Sequence, residues 1–100
     1  MREISVSELK KLMDSKADFQ LIDVREEYEF DEENINGTLI PMGEILSRID
    51  EIAKDKQVII HCRSGKRSAS VIAALENHHG FTNLYNLGGG IMAYIDEIGL

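Results

Sequence analysis

Two patterns of hydrophobic residues alternate along the chain. Short, compact apolar runs predict β-strands at residues 20–24, 38–40, 57–61 and 83–87. Apolar residues spaced three and four positions apart are typical of helices, and an acidic run between the first two strands predicts one more short helix. The predicted helices cover residues 6–13, 27–33, 45–52, 68–79 and 91–98. Ser5 and Glu8 have the spacing of a capping box at the start of the first helix.

Strands that alternate with helices are typical of βα units, whose strands form a parallel sheet with helices on both faces. We therefore expect an α/β fold. The 100 residues contain no repeat and no linker, so one domain covering residues 1–100 is predicted. Ligands of parallel sheets bind outside the carboxyl ends of the strands. The end of Gln57–His61, the run most typical of a buried strand, is therefore where a site is expected.

Composition and charge exclude several classes of protein. With 43% hydrophobic residues and one proline, the chain is not expected to be disordered. No apolar stretch approaches the ~18 residues of a membrane helix, and the N-terminus lacks an apolar run of signal-peptide length. We therefore expect a cytoplasmic protein with no membrane partner. A net charge of −7, with six acids among residues 26–33, disfavours nucleic acid as a partner.

The chain contains one cysteine, Cys62, and it follows the predicted buried strand directly. A lone cysteine excludes an internal disulfide and a zinc site built on several thiolates, so no metal is expected. The basic residues of the next positions are Arg63, Lys66 and Arg67, and no acid occurs between His61 and Leu75. This short basic segment is either a site for a small anion or a solvated turn, and charge alone leaves both open.

The segment His61–Ser68 connects the strand to the next predicted helix. Backbone amides of such a loop, ahead of a helix N-terminus, can converge on the position of the cysteine sulfur. Together with nearby cations they favour the thiolate over the thiol. Gly65 permits the backbone angles of a tight loop. A thiolate in cationic surroundings is a nucleophile toward anionic substrates.

Four stretches in order resemble the rhodanese-like family of single-domain sulfurtransferases. The loop matches the family pattern Cys-x-x-Gly-x-[Arg/Lys]-[Ser/Thr], and the other three stretches match it in order and rough spacing. The matching residues are Cys62, Gly65, Arg67 and Ser68; Leu21–Arg25 with Glu29 and Phe30; Ile35–Thr38 with Ile40 and Pro41; and Asn86–Gly90 with Tyr94. Departures occur outside the loop, at Glu33, Asn34, Asn36 and Tyr94, and the spacing from Gly37 to Pro41 is one residue short.

The resemblance implies a three-layer α/β/α fold around a mainly parallel five-stranded sheet. It also implies that Cys62 takes a sulfane sulfur from a small anionic donor such as thiosulfate and carries it as a persulfide. The acceptor would be a thiol or cyanide, including a thiol on a partner protein, and no cofactor is implied. The residues expected to bind the donor and the terminal sulfur are Arg63, Ser64, Gly65, Lys66, Arg67 and Ser68. Asp23 and Arg25, after another strand, are expected to support the site by bonding loop backbone or pairing with Glu29.

Two other functions share this fold and remain alternatives. Cysteine phosphatases have five residues between the cysteine and an arginine that clamps the phosphoryl oxygens, whereas four separate Cys62 from Arg67. A non-catalytic persulfide carrier or binding module is the third possibility, with the acidic segment 26–33 as a docking face. Lys66 and Arg67 could also lie on the first turn of a helix and face solvent. His61 is expected to pack in the core, and His78 and His79 to end a helix.

Overall fold

The computed structural model describes all 100 residues and contains five strands and four α-helices. The strands are β1 (Glu3–Ile4), β2 (Phe19–Asp23), β3 (Thr38–Leu39), β4 (Gln57–His61) and β5 (Leu84–Leu87). The helices are α1 (Val6–Asp14), α2 (Glu27–Glu32), α3 (Lys66–His79) and α4 (Gly90–Glu97). None of the helices is both long enough and apolar enough to cross a membrane.

All strand pairs are parallel, and the sheet has the order β1-β5-β4-β2-β3. The central strand β4 pairs with β2 along its whole length and with β5 on its other side. This confirms the α/β class and the five-stranded parallel sheet. The apolar pattern alone predicted four of the strands, because β1 has only two residues and pairs only at the edge, with Asn86 and Leu87.

The sheet has an apolar core on each face, which makes the fold three-layered. One core contains Val58 and Ile60 of β4 together with residues of α3, and the other contains Ile59 together with residues of α1 and α4. Successive side chains of a strand point to opposite faces. A strand covered on both faces is therefore apolar without interruption, as β4 is.

The predicted helix at residues 45–52 is wrong. The chain forms two short 3-10 segments instead, Met42–Glu44 and Ile49–Glu51. Gly43 and Ser47 have low helix propensity. The Ser47 hydroxyl donates to the Glu44 carbonyl and so competes with the backbone hydrogen bonds of a helix. The apolar residues of this segment still reach the core, so their spacing reflects burial rather than a helix.

Candidate active site

Cys62 lies at the carboxyl end of the central strand, with only 1% of its surface exposed. A loop of three residues follows, and α3 begins at Lys66, two positions earlier than the sequence predicts. The Cys62 carbonyl accepts a hydrogen bond from the Ile91 amide at 2.9 Å, which fixes the loop against α4. The cysteine therefore sits at the edge of the sheet where ligands of parallel sheets bind.

Hydrogen-bond donors of the loop and of the first helical turn surround the sulfur. The Gly65 amide lies 3.1 Å from Cys62 Sγ, the Ser68 amide 3.5 Å and the Ser68 hydroxyl 3.4 Å. Gly65 has a φ of 106°, in the left-handed region that disfavours side chains. The predicted convergence of the loop on the sulfur is thus present in the geometry, and glycine makes it possible.

Burial and hydrogen bonding have opposite effects on the pKa of Cys62. Burial by itself raises the pKa of the thiol, because a charge is poorly solvated there. Hydrogen bonds from the Ser68 hydroxyl and from the amides of Ser68, Gly65 and Ser64 outweigh burial. The net result is a Cys62 pKa below its ordinary value, which increases the thiolate fraction at neutral pH.

The three basic side chains of this segment have different environments. Arg63 and Lys66 are both exposed. Arg63 Nε lies 3.3 Å from Met92 Sδ, and Lys66 lies on the first turn of α3. Arg67 donates two hydrogen bonds to the Glu29 carboxylate, at 2.7 and 2.9 Å. The charge of Arg67 is therefore matched by an acid 38 residues away in the sequence, and donor binding by the three basic side chains stays a prediction.

A cavity of about 380 Å³ opens beside the loop, bounded by Arg63 and Met92 on one side and by α2 on the other. Its lining also includes Tyr28 and the acids Glu32 and Glu33. The lining of this cavity is thus of mixed charge rather than uniformly basic.

Asp23 and Arg25 form a buried ion pair near the site. Arg25 Nη2 lies 2.8 Å from Asp23 Oδ2, and the two side chains are at most 4% exposed. Arg25 Nη2 also donates to the Glu33 carbonyl at 2.8 Å, which ties the end of α2 to the sheet. Of the two predicted alternatives, the structure has the bond to loop backbone, and the Glu29 carboxylate pairs with Arg67 instead.

His61 is fully buried behind Cys62. Its Nδ1 lies 3.3 Å from the Cys62 carbonyl, and its Nε2 lies 3.6 Å from Asp23 Oδ2 without a hydrogen-bond partner. Burial lowers the pKa of His61, although the Asp23 carboxylate opposes the change. The neutral ring is part of the buried strand end, and it makes no hydrogen bond to Cys62 Sγ.

Two residues near the loop were not singled out individually from the sequence. Asn86 donates from Nδ2 to the Gly65 carbonyl at 3.1 Å and accepts from the Ser68 hydroxyl at 2.6 Å. Gly90 has a φ of 62°, and a Cβ there would collide with the Arg63 carbonyl. The sequence indicates their stretch, Asn86–Gly90, only as part of a family pattern, since nothing local shows which residue packs against a loop so far away in the chain.

No three or more His, Cys, Asp or Glu side chains are grouped so that they could hold a metal ion. The donors around Cys62 are amides and a hydroxyl, and they suit an anionic sulfur rather than a cation.

Comparison with known proteins identifies the family. The rhodanese-like domain model matches residues 5–97. The chain belongs to the rhodanese-like domain family. A solved rhodanese-like domain protein from Staphylococcus aureus superimposes with a TM-score of 0.87 at 33% identity, covering 98% of this chain and 95% of that one.

Two curated relatives match this rhodanese-like chain over most of their length. YtwF of Bacillus subtilis is 38% identical over 98 residues, which cover 97% of this chain and 93% of that protein. A protein of Allochromatium vinosum named "Sulfurtransferase" is 37% identical over 95 residues, which cover 94% and 88% of the two chains. Membership of the family and these relatives support a role in sulfur transfer.

Proposed function

We propose that this chain is a sulfurtransferase that moves a sulfane sulfur from an anionic donor such as thiosulfate to a thiol or cyanide. The observation that carries the proposal is the convergence of two amides and one hydroxyl on Cys62 Sγ, at 3.1 to 3.5 Å. The two amides are held by the fold before any substrate binds, so they favour negative charge at the sulfur without reorganisation.

In the first step the Cys62 thiolate attacks the outer sulfur of thiosulfate. A new S–S bond forms to Cys62, the S–S bond of thiosulfate breaks, and sulfite leaves with the bonding electron pair. The product is a Cys62 persulfide whose terminal sulfur is anionic. The amides of residues 63–68 act as fixed dipoles on that charge, with Gly65 and Ser68 closest to the starting sulfur.

In the second step the acceptor attacks the terminal sulfur. The S–S bond to Cys62 breaks and its electron pair returns to Cys62, which regenerates the thiolate. Cyanide leaves as thiocyanate, and a thiolate acceptor leaves as a persulfide. The step needs no second cysteine of this chain, which has only one. A thiol on a small molecule or on a partner protein is chemically equivalent here.

The geometry around Arg67 favours sulfur over phosphate as the group transferred. A phosphatase of this fold would use the loop arginine to clamp phosphoryl oxygens, but Arg67 donates to Glu29 through both terminal nitrogens. The loop is also one residue shorter than the Cys-x5-Arg loop of cysteine phosphatases. Both features support the smaller transferred group.

The proposal is tested by measuring thiocyanate formation from thiosulfate and cyanide. Cys62→Ser should abolish it, because no other thiol exists to carry the sulfur. Ser70→Ala, on an exposed position of α3 outside the loop, is the matched control and should retain activity. Circular dichroism melting establishes that both variants are folded. Substantial activity in folded Cys62→Ser would overturn the proposed mechanism.

A further inference from the structure

The side chain of Asn86 bonds to the last residue of the loop after Cys62 and to the first turn of α3. Asn86 is 5% exposed and lies on β5, next to the central strand. Its Nδ2 lies 3.1 Å from the Gly65 carbonyl oxygen. A carbonyl oxygen only accepts, so the end of the Asn86 amide that faces it must be the NH2 group. This contact fixes the orientation of the amide, so Asn86 Oδ1 is the atom that faces the Ser68 hydroxyl.

The Ser68 hydroxyl has one proton and three acceptors within reach. Asn86 Oδ1 lies at 2.6 Å, the Gly65 carbonyl at 3.2 Å and Cys62 Sγ at 3.4 Å. Two oxygens approach to 2.6 Å only with a proton between them. Asn86 Oδ1 carries no proton, so that proton comes from Ser68. The hydroxyl then presents a lone pair to the sulfur, where it can accept from the neutral thiol.

We infer that Asn86 is a positioning residue that holds the Ser68 proton away from Cys62 while the sulfur is neutral and releases it to the sulfur when negative charge forms there. The inference deepens the proposed function, since that charge is the one carried by the attacking thiolate. A charged acceptor makes the stronger hydrogen bond, which is why the proton moves on ionisation. The cost is a buried Asn86 Oδ1 left without its donor.

Other groups near Cys62 contribute charge but do not move the Ser68 proton between Asn86 and the sulfur. Arg67 on α3 acts on the sulfur through its charge, and His61 and Asp23 lie behind it on β4 and β2. Arg63 follows Cys62 in the loop, whereas α4 places uncharged Ile91 against the Cys62 carbonyl. All of these remain in place when only the Ser68 hydroxyl is removed, so Ser68→Ala isolates the proton.

The test is a pH titration of the Asn86 side-chain carbonyl by ¹³C NMR. In the wild-type protein its Cγ resonance should show a step whose midpoint equals the midpoint of Cys62 alkylation by iodoacetamide. Ser68→Ala should remove most of that step, while alkylation in the same sample still reports when Cys62 ionises. Asn83, at the start of β5 and bonded to the Ala53 and Lys56 carbonyls, is the internal control and should not respond.

A double-mutant cycle gives a second measurement. Asn86→Leu removes the nearest acceptor of the Ser68 proton and leaves the more distant Gly65 carbonyl as the one competitor of the sulfur. Ser68→Ala should therefore raise the alkylation midpoint by about one pKa unit more in Asn86→Leu than in the wild-type background. A flat Asn86 resonance through the Cys62 midpoint in the wild type would overturn the inference. So would an equal effect of Ser68→Ala in both backgrounds. Neither readout needs thiosulfate. The inference can therefore fail while the proposed function stands, and the proposed function can fail while the inference stands.

Discussion

Glu29→Gln should destabilise the fold at neutral pH through the loss of its ion pair with Arg67. The carboxylate accepts from both terminal nitrogens of Arg67, at 2.7 and 2.9 Å. The Arg67 hydrogen bonds hold the pKa of Glu29 at about 2, although partial burial opposes them. Glutamine keeps the shape of the side chain and can still accept from the Glu26 amide at the start of α2, as Glu29 does.

The magnitude follows from the pKa. A carboxyl whose pKa falls from 4.5 to about 2 on folding adds ~3 kcal/mol to the free energy of unfolding at neutral pH if the interaction is complete. The Arg67 side chain is 36% exposed, so solvent screens the pair and we expect ~1–2 kcal/mol. Because the folded-state pKa is the lower one, this stability is fully present above 4.5 and is lost as the pH falls through about 2.

The assay is urea unfolding of the wild type, Glu29→Gln, Arg67→Met and the double variant, which gives the coupling free energy of the pair. The coupling should be ~1–2 kcal/mol at neutral pH, hold to about pH 5 and fall by about half or more by about pH 3. Glu32→Gln, an exposed acid on the same helix, should change stability by less than ~0.5 kcal/mol. A coupling below ~0.3 kcal/mol at neutral pH, or one that does not change on acidification, would show that the Glu29–Arg67 pair does not stabilise the fold through its charge.

Three further predictions concern the loop. Gly90→Ala should lower the free energy of unfolding by ~1–3 kcal/mol in urea, because its Cβ would collide with the Arg63 carbonyl; Gly80→Ala, also at positive φ but in open space, should lose less. Inserting one glycine between Cys62 and Arg67 should reduce sulfur transfer by moving the amides away from the sulfur; an unchanged rate would contradict the role of loop geometry. Arg63→Ala should raise the thiosulfate KM several-fold and Arg67→Ala should raise it less, since Glu29 holds Arg67; equal effects in steady-state kinetics would contradict this.

The parts of the fold that depend on local patterns could be predicted from the sequence. The apolar run Gln57–His61 predicted the central strand because a strand covered on both faces has few polar positions. The apolar spacing from Val71 to Leu75 predicted the body of α3, whose side chains pack on one face of the sheet. The position of Cys62 at a strand end followed from the same pattern.

The parts that depend on distant contacts could not be predicted in this way. The partners Glu29 and Arg67 are 38 residues apart, and an acidic run does not indicate which of its members pairs with a base. Asn86 and Gly90 act on the loop across the sheet edge, so only the assembled fold brings them to it. The segment 45–52 has helical spacing, but side-chain competition within it favours short turns.

Intact-mass spectrometry shows directly whether Cys62 carries the transferred sulfur. The protein is mixed with thiosulfate, freed of excess reagent and weighed, with Cys62→Ser treated in parallel. The wild type alone should gain one sulfur, about 32 Da, and lose it when cyanide or a thiol is added. An unchanged mass in the wild type, or the same gain in Cys62→Ser, would show that Cys62 does not carry the sulfur.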